Sequence, residues 1–217
     1  MTDTVTVAEV EAATAGVLAR LTDRTDEDAR ASSRLPGWTV GHVLTHVARN
    51  ADAFVRVAAD RRAGRTGTMY PAGAEGRNAD IETGATRSMA ELLDDLAAAS
   101  ARFSAAWRDP VPDGPCQSWE GIPTFSAHEV RLRRLREVEV HATDTGLAGF
   151  THHQWTDAYV AADLPRQWAD VQRRTDEEVD RTNVNDRDLL AWLLDRTQIA
   201  GLPELRAWGN PATWRPE

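Results

Sequence analysis

The chain has 217 residues, 41% of them hydrophobic and 27% charged, enough to bury a sizeable core in one large domain or in one domain with an appendage. A formal net charge of −9, with no long Lys/Arg cluster, excludes the electrostatic footprint of a nucleic-acid-binding protein. No run reaches the roughly 18 consecutive apolar residues needed to span a bilayer. The segment from Met1 to Leu21 lacks the basic start and apolar run of a signal peptide, so a cytosolic protein is expected.

In chain order, apolar positions at helical spacing (Val7, Val10, Ala13, Val17, Leu18, Leu21) predict an amphipathic helix over residues 6–23. Residues 24–37 are polar and stop at Leu35-Pro36-Gly37. A second helix starts with Thr39 as N-cap and runs through Val43, Leu44, Val47, Ala51, Phe54 and Ala58 to about Arg62. Gly64 to Gly76 reads as a long connection, of a length that usually lines a site. Ser88 and Glu91 form a capping-box pattern that opens a third helix, continuing through Leu92, Leu96 and Phe103 to Trp107. Residues 109–124 are rich in proline and read as loop. A fourth helix is predicted from Ser126, with Glu129 completing its box, to Thr145, and Gly146 ends it. Four long helices of this kind make a four-helix bundle.

Beyond Gly149 the periodicity weakens. Residues 186–195 form a short helix, and Val179–Val184 is a candidate strand leading into it. The expected fold is therefore mainly α, a helical bundle over 1–148 followed by a small α/β C-terminal appendage over 149–217.

The single cysteine, Cys116, lies between proline and glycine signals that read as loop. It excludes an internal disulfide and a cysteine-rich zinc site. Any thiol chemistry here needs a thiol from outside the chain.

The residues that offer other chemistry are histidines and carboxylates on two helices. His46 lies on the stripe of Val43, Val47 and Asn50, facing the core or its lip; taken alone it reads as a core histidine. Glu137 and His141 are four apart, so their side chains share one face of the fourth helix. A carboxylate oxygen and an imidazole nitrogen at that spacing can share an ion, and they can equally form a surface pair worth a few tenths of a kcal/mol. With His46 as third ligand, two histidines and one carboxylate leave a zinc-like ion an open position, as in a catalytic site. His42 is a rival ligand on a more polar stripe. His128 lies too far along its helix to join Glu137, and His152 and His153 read as exposed.

The run from Ser33 to Asp52 (Ser-Arg-Leu-Pro-Gly-Trp-Thr-Val-Gly-His-Val-Leu-Thr-His-Val-Ala-Arg-Asn-Ala-Asp) resembles the mycothiol-dependent maleylpyruvate isomerase family, within the DinB-like four-helix-bundle metalloenzymes. Arg77-Asn-Ala-Asp-Ile-Glu82, Gly84-Ala-Thr-Arg87 and Arg136-Glu137-Val-Glu-Val-His141-Ala-Thr-Asp144 are similar to it too. The likeness covers roughly residues 5–145; in the tail it is confined to Asp188-Leu-Leu-Ala-Trp-Leu and Leu202-Pro-Glu-Leu. It implies a DinB-like bundle, metal ligands at His46, Glu137 and His141, zinc or another divalent ion, and mycothiol as the borrowed thiol.

The activity so implied is isomerisation of maleylpyruvate to fumarylpyruvate by reversible thiolate addition, a step in aromatic degradation. Arg77, read as a loop residue, is the first choice for binding thiol or substrate and for stabilising the enolate, because the arginine fork suits both tasks. Asn50, one turn after His46, is a candidate for orienting a ligand or for filling polar space in the bundle. Tyr70 is a further loop candidate, and Arg206 or Arg215 in the tail could close over the site. Two other readings stand beside this one: a small-thiol S-transferase acting on electrophiles, and a non-catalytic zinc-binding helical module. The presence of all three ligands argues against the last. The expected partners are a small thiol and an anionic electrophile, with no nucleic acid or membrane, and the bundle reads as a monomer.

Overall fold

Hydroxyl side chains that satisfy exposed backbone N–H groups set where most of the long helices begin. The computed structural model describes residues 5–120, 125–147 and 149–206. Helix α1 (Val7–Leu21) opens on Thr6, with Glu9 reciprocating, and the short α2 (Asp26–Arg30) opens on Thr25. Helix α3 (Val40–Arg62) opens on Thr39, whose own N–H is accepted by Nδ1 of His42 at 3.1 Å. Strand β1 (Gly67–Thr68) and helix α4 (Gly73–Ala85) precede α5 (Met89–Arg108), which begins with the expected Ser88–Glu91 box. Strands β2 (Pro115–Gln117) and β3 (Phe125–Ser126) and a 3-10 turn at Ala127–Glu129 lead into α6 (Val130–Asp144). Gly146, at φ +69°, adopts the left-handed conformation that terminates this helix. A second 3-10 turn (His152–Gln154), α7 (Asp157–Ala169), α8 (Val171–Arg174) and α9 (Asp186–Leu193) follow.

The chain divides into two compact units, residues 1–150 and 151–217. In the first, α3 packs on α4, α5 and α6, while α1 packs on α5 and α6. The four long helices α1, α3, α5 and α6 thus enclose one core. Val10 and Leu21 of α1, Val43 and Phe54 of α3, Leu92 and Phe103 of α5, and Leu135 and Val138 of α6 are all buried there. Each such side chain contributes about 1.5–3 kcal/mol on leaving water. Charges at the rim bind α3 to α5: Asp95 accepts from Arg49 at 2.5 Å and from Arg87 at 2.8 Å, and Asp52 accepts from Arg102.

Two glycines let α4 lie close on α3. A Cβ at Gly41 would stand 2.2 Å from the Ala85 carbonyl oxygen, and one at Gly84 would stand 2.4 Å from Cγ2 of Thr45. The small sheet has the order β1-β2-β3, with β1 parallel to β2 and β2 antiparallel to β3.

Four local expectations change. The polar stretch before α3 holds α2, and the presumed long connection after it contains β1 and gives way to α4 at Gly73, so Arg77 is helical rather than in a loop. Cys116 sits buried in β2, paired with Gly67, and not in a loop. Residues 179–184 form no strand. The described residues of the second unit are helical, with Trp155, Tyr159, Leu190 and Trp192 among its buried side chains. The β part of the expected appendage is therefore not found among them. No helix among the described residues is long and apolar enough to cross a membrane.

Candidate metal centre

Helix α3 carries His46 two turns in from its capped start, and α6 carries Glu137 and His141 one turn apart. Packing of α3 on α6 brings the three together across 91 and 95 residues of sequence. Nε2 of His46 lies 2.9 Å from Oε2 of Glu137 and 3.2 Å from Nε2 of His141; His141 Nε2 lies 3.3 Å from Oε2 of Glu137. Ligands held tetrahedrally at zinc distances stand roughly 3.3 Å apart. These atoms therefore converge as a set that could hold one divalent ion. Both imidazoles are buried, while the Glu137 side chain keeps 21% of its exposure and marks the open side.

The surroundings of the two histidines differ. Nδ1 of His141 lies 2.8 Å from Oδ2 of Asp144, a fully buried carboxylate. A carboxylate behind a histidine fixes the ring and directs the other nitrogen's lone pair to an ion. Burial works against charging His141, but the Asp144 and Glu137 carboxylates outweigh it and raise its pKa. Nδ1 of His46 instead faces Nη2 of Arg77 at 3.1 Å. Burial and then the Arg77 charge push His46 down to about 4, so the ring is neutral at physiological pH. Burial opposes ionisation of Glu137 as well, yet hydrogen bonds from His141 and His46 hold it well below the usual carboxylate range. Two neutral-capable imidazoles beside a firmly ionised carboxylate suit a zinc-like cation.

Arg77 is 92% removed from solvent, at 8% residual exposure. Its guanidinium carbon lies 5.9 Å from the Trp38 ring centroid and 5.8 Å from that of Tyr70. It donates to Asn78 at 2.9 Å, and among the described residues no carboxylate pairs with it. Tyr70 is placed by the sheet, whose ladder continues beyond β1 and β2 as Met69 N–H to Gln117 and Tyr70 N–H to Ser118. Trp38 also packs on His46, with ring centroids 5.6 Å apart. An aromatic-flanked guanidinium thus stands at the edge of the His46–Glu137–His141 triangle.

The other candidates are engaged elsewhere. Asn50 is buried and accepts from Nη1 of Arg134 at 3.1 Å, so it fills polar space below the site. His42 caps α3 and reaches Glu82 at 3.3 Å. His128 lies beside Asp113 at 3.4 Å. Arg206 spends its guanidinium within the second unit, on Asp176 and the Arg173 carbonyl, and Arg215 lies outside the described residues. Asp144 and Trp38 were missed as site residues. His141-x-x-Asp144 was the available signal for the former; Trp38 gave none beyond its place before Thr39.

Two solved structures, a mycothiol-dependent maleylpyruvate isomerase and a histidine-to-alanine variant of that enzyme, match with TM-scores of 0.77 and 0.78. Both are 20% identical to this chain, with 93% of this chain and 95% of the other covered, so they establish the shared fold. No curated protein matches significantly. Residues 10–146 match the family described as the mycothiol maleylpyruvate isomerase N-terminal domain. That span covers most of the chain and all four bundle helices apart from the first turn of α1, and the chain belongs to this family.

Proposed function

We propose that the protein is a metal-dependent, mycothiol-using cis–trans isomerase that converts maleylpyruvate to fumarylpyruvate. The observation that carries this reading is the His46–Glu137–His141 triangle with the Arg77 guanidinium, which pairs with no carboxylate among the described residues, beside it. His46 and His141 would hold the ion through Nε2 and Glu137 through a carboxylate oxygen, with zinc the ion that this donor set fits. When bound, such an ion supplies Lewis acidity that lowers the pKa of a thiol placed at its open position.

The chain's one cysteine offers no competing thiolate. Cys116 is buried, and burial pushes its thiol up to about 11, so the sulfur comes from the small thiol. In the reaction, a carbon–sulfur bond forms at one alkene carbon and the π electrons move into an enolate. The former double bond rotates as a single bond. The enolate then re-forms the alkene in the trans geometry and expels the thiolate, with no net redox change. Arg77 is the residue suited to bind a substrate carboxylate or the enolate oxygen, because its buried charge has no carboxylate partner among the described residues. The walls of Trp38 and Tyr70 keep that cation out of water, which strengthens its pull on an anion.

The test is the loss of maleylpyruvate ultraviolet absorbance with purified protein. The reading requires loss that depends on both protein and mycothiol and that disappears in His46→Ala. A mycothiol conjugate detected by mass spectrometry, with no isomerised product, would replace the isomerase by an S-transferase.

A further inference from the structure

A second group of imidazoles and carboxylate lies in the C-terminal unit and shares no residue with the centre described above. His152 and His153 are neighbours on the second 3-10 turn, and Asp188 sits in the first turn of α9. Nε2 of His152 lies 2.8 Å from Oδ1 of Asp188, and Nδ1 of His153 lies 3.6 Å from that same oxygen. The two rings are 4.1 Å apart between centroids. One ligand atom from each residue falls within 4.8 Å of the other two.

The group is held in place by its neighbours. The Asp188 N–H donates to Oδ1 of Asn185, and its Oδ2 accepts from Nδ2 of Asn185 at 2.6 Å, leaving Oδ1 for the histidines. The turn is fixed by Thr151, whose N–H and hydroxyl both donate to Oε1 of Gln154. Buried Trp155 packs edge-on against His152, with centroids 5.9 Å apart.

A single His152–Asp188 hydrogen bond would account for one imidazole and leave the other unexplained. His153 is 62% exposed and loses nothing by turning its ring to water. It lies instead over the oxygen already used by its neighbour. One cation at this spacing could accept lone pairs from all three groups.

We propose that His152, His153 and Asp188 form a second divalent-cation site, for ions of the zinc class that take imidazole together with carboxylate. Its remaining positions face solvent, so it binds more weakly than the buried triangle and exchanges faster. The bound cation clips the 3-10 turn to the start of α9.

The test uses the full-length, tag-free protein, stripped with a chelator and titrated with zinc alone. Wild type is expected to bind two equivalents, His153→Ala one, His46→Ala one, and the double variant none. Because His153 is exposed, its removal leaves the fold intact, which circular dichroism checks; Asp188→Asn, which keeps an oxygen for Asn185, gives a second reading and is expected to weaken the same equivalent at least tenfold. Unchanged stoichiometry and affinity in both His153→Ala and Asp188→Asn would overturn the proposal. Loss of the equivalent in His153→Ala with none lost in His46→Ala would sustain it while removing the centre on which the isomerase reading rests.

Discussion

Nη2 of Arg77 stands 3.1 Å from Nδ1 of His46, the ring nitrogen turned away from Glu137 and His141. A neutral imidazole that gives Nε2 to an ion carries its proton on Nδ1, and Arg77 then finds a donor where it had an acceptor. Its guanidinium is thereby available to an anion, between Trp38 and Tyr70. Arg77→Met is expected to lower kcat/KM for maleylpyruvate by about 10²–10³-fold, the scale of losing one preorganised electrostatic donor, with bound zinc retained. Arg77→Lys keeps the charge without the fork and should fall between. Steady-state kinetics with metal analysis checks this, and an unchanged kcat/KM in Arg77→Met would remove Arg77 from the reaction.

Asp144 acts through His141. Its carboxylate is fully buried and 2.8 Å from Nδ1 of that ring. Asp144→Asn should weaken zinc binding about 10–100-fold, as loss of a ligand's supporting partner does, while secondary structure persists. Competition with a chromophoric chelator measures it; equal affinity in the two proteins would make Asp144 a structural residue only.

The thiol prediction concerns Cys116. Its side chain is buried in β2 and its pKa is pushed up to about 11 by burial, so almost no thiolate exists at pH 8. Iodoacetamide at that pH should leave the folded protein unmodified over a period that alkylates it fully in urea. Cys116→Ser should keep mycothiol-dependent activity. Rapid alkylation of the native chain would mean that an internal thiol must be reconsidered as nucleophile.

Gly41 links fold to site. A Cβ there would press on the Ala85 carbonyl at 2.2 Å, backbone against backbone, and α4, which carries Arg77, would have to withdraw from α3. Gly41→Ala is expected to cost about 1–3 kcal/mol, as overpacking does. The urea midpoint reports it, and an unchanged midpoint would show that α4 adjusts freely.

The bundle and the shared face of Glu137 and His141 were legible in the sequence because both depend on local signals, whereas His46 joins them across 91 residues and was implied by the family resemblance rather than by any local pattern. Thr39 and Ser88 mark helix starts by their side chains, and Glu137 and His141 share a face by helical periodicity alone. Helix α4 was not legible. Gly73, Gly76 and Gly84 lower its intrinsic propensity, its buried apolar positions are few, and it is held by close packing on α3, a tertiary effect. Arg77 was accordingly read as a loop residue although its identity drew notice. Asn50 lies one turn from His46, but Arg134 claims it, a contact across 84 residues that no local pattern reveals. Val179–Val184, the candidate strand, pairs with no other segment as a strand among the described residues.

Whether His46, Glu137 and His141 hold a catalytic ion is read from the zinc content of the purified chain. Tag-free wild type and His46→Ala, each loaded with zinc and freed of excess, should differ by one equivalent per chain, with the variant still folded by circular dichroism and inactive toward maleylpyruvate. Equal zinc content in the two folded proteins would mean that these three residues hold no ion.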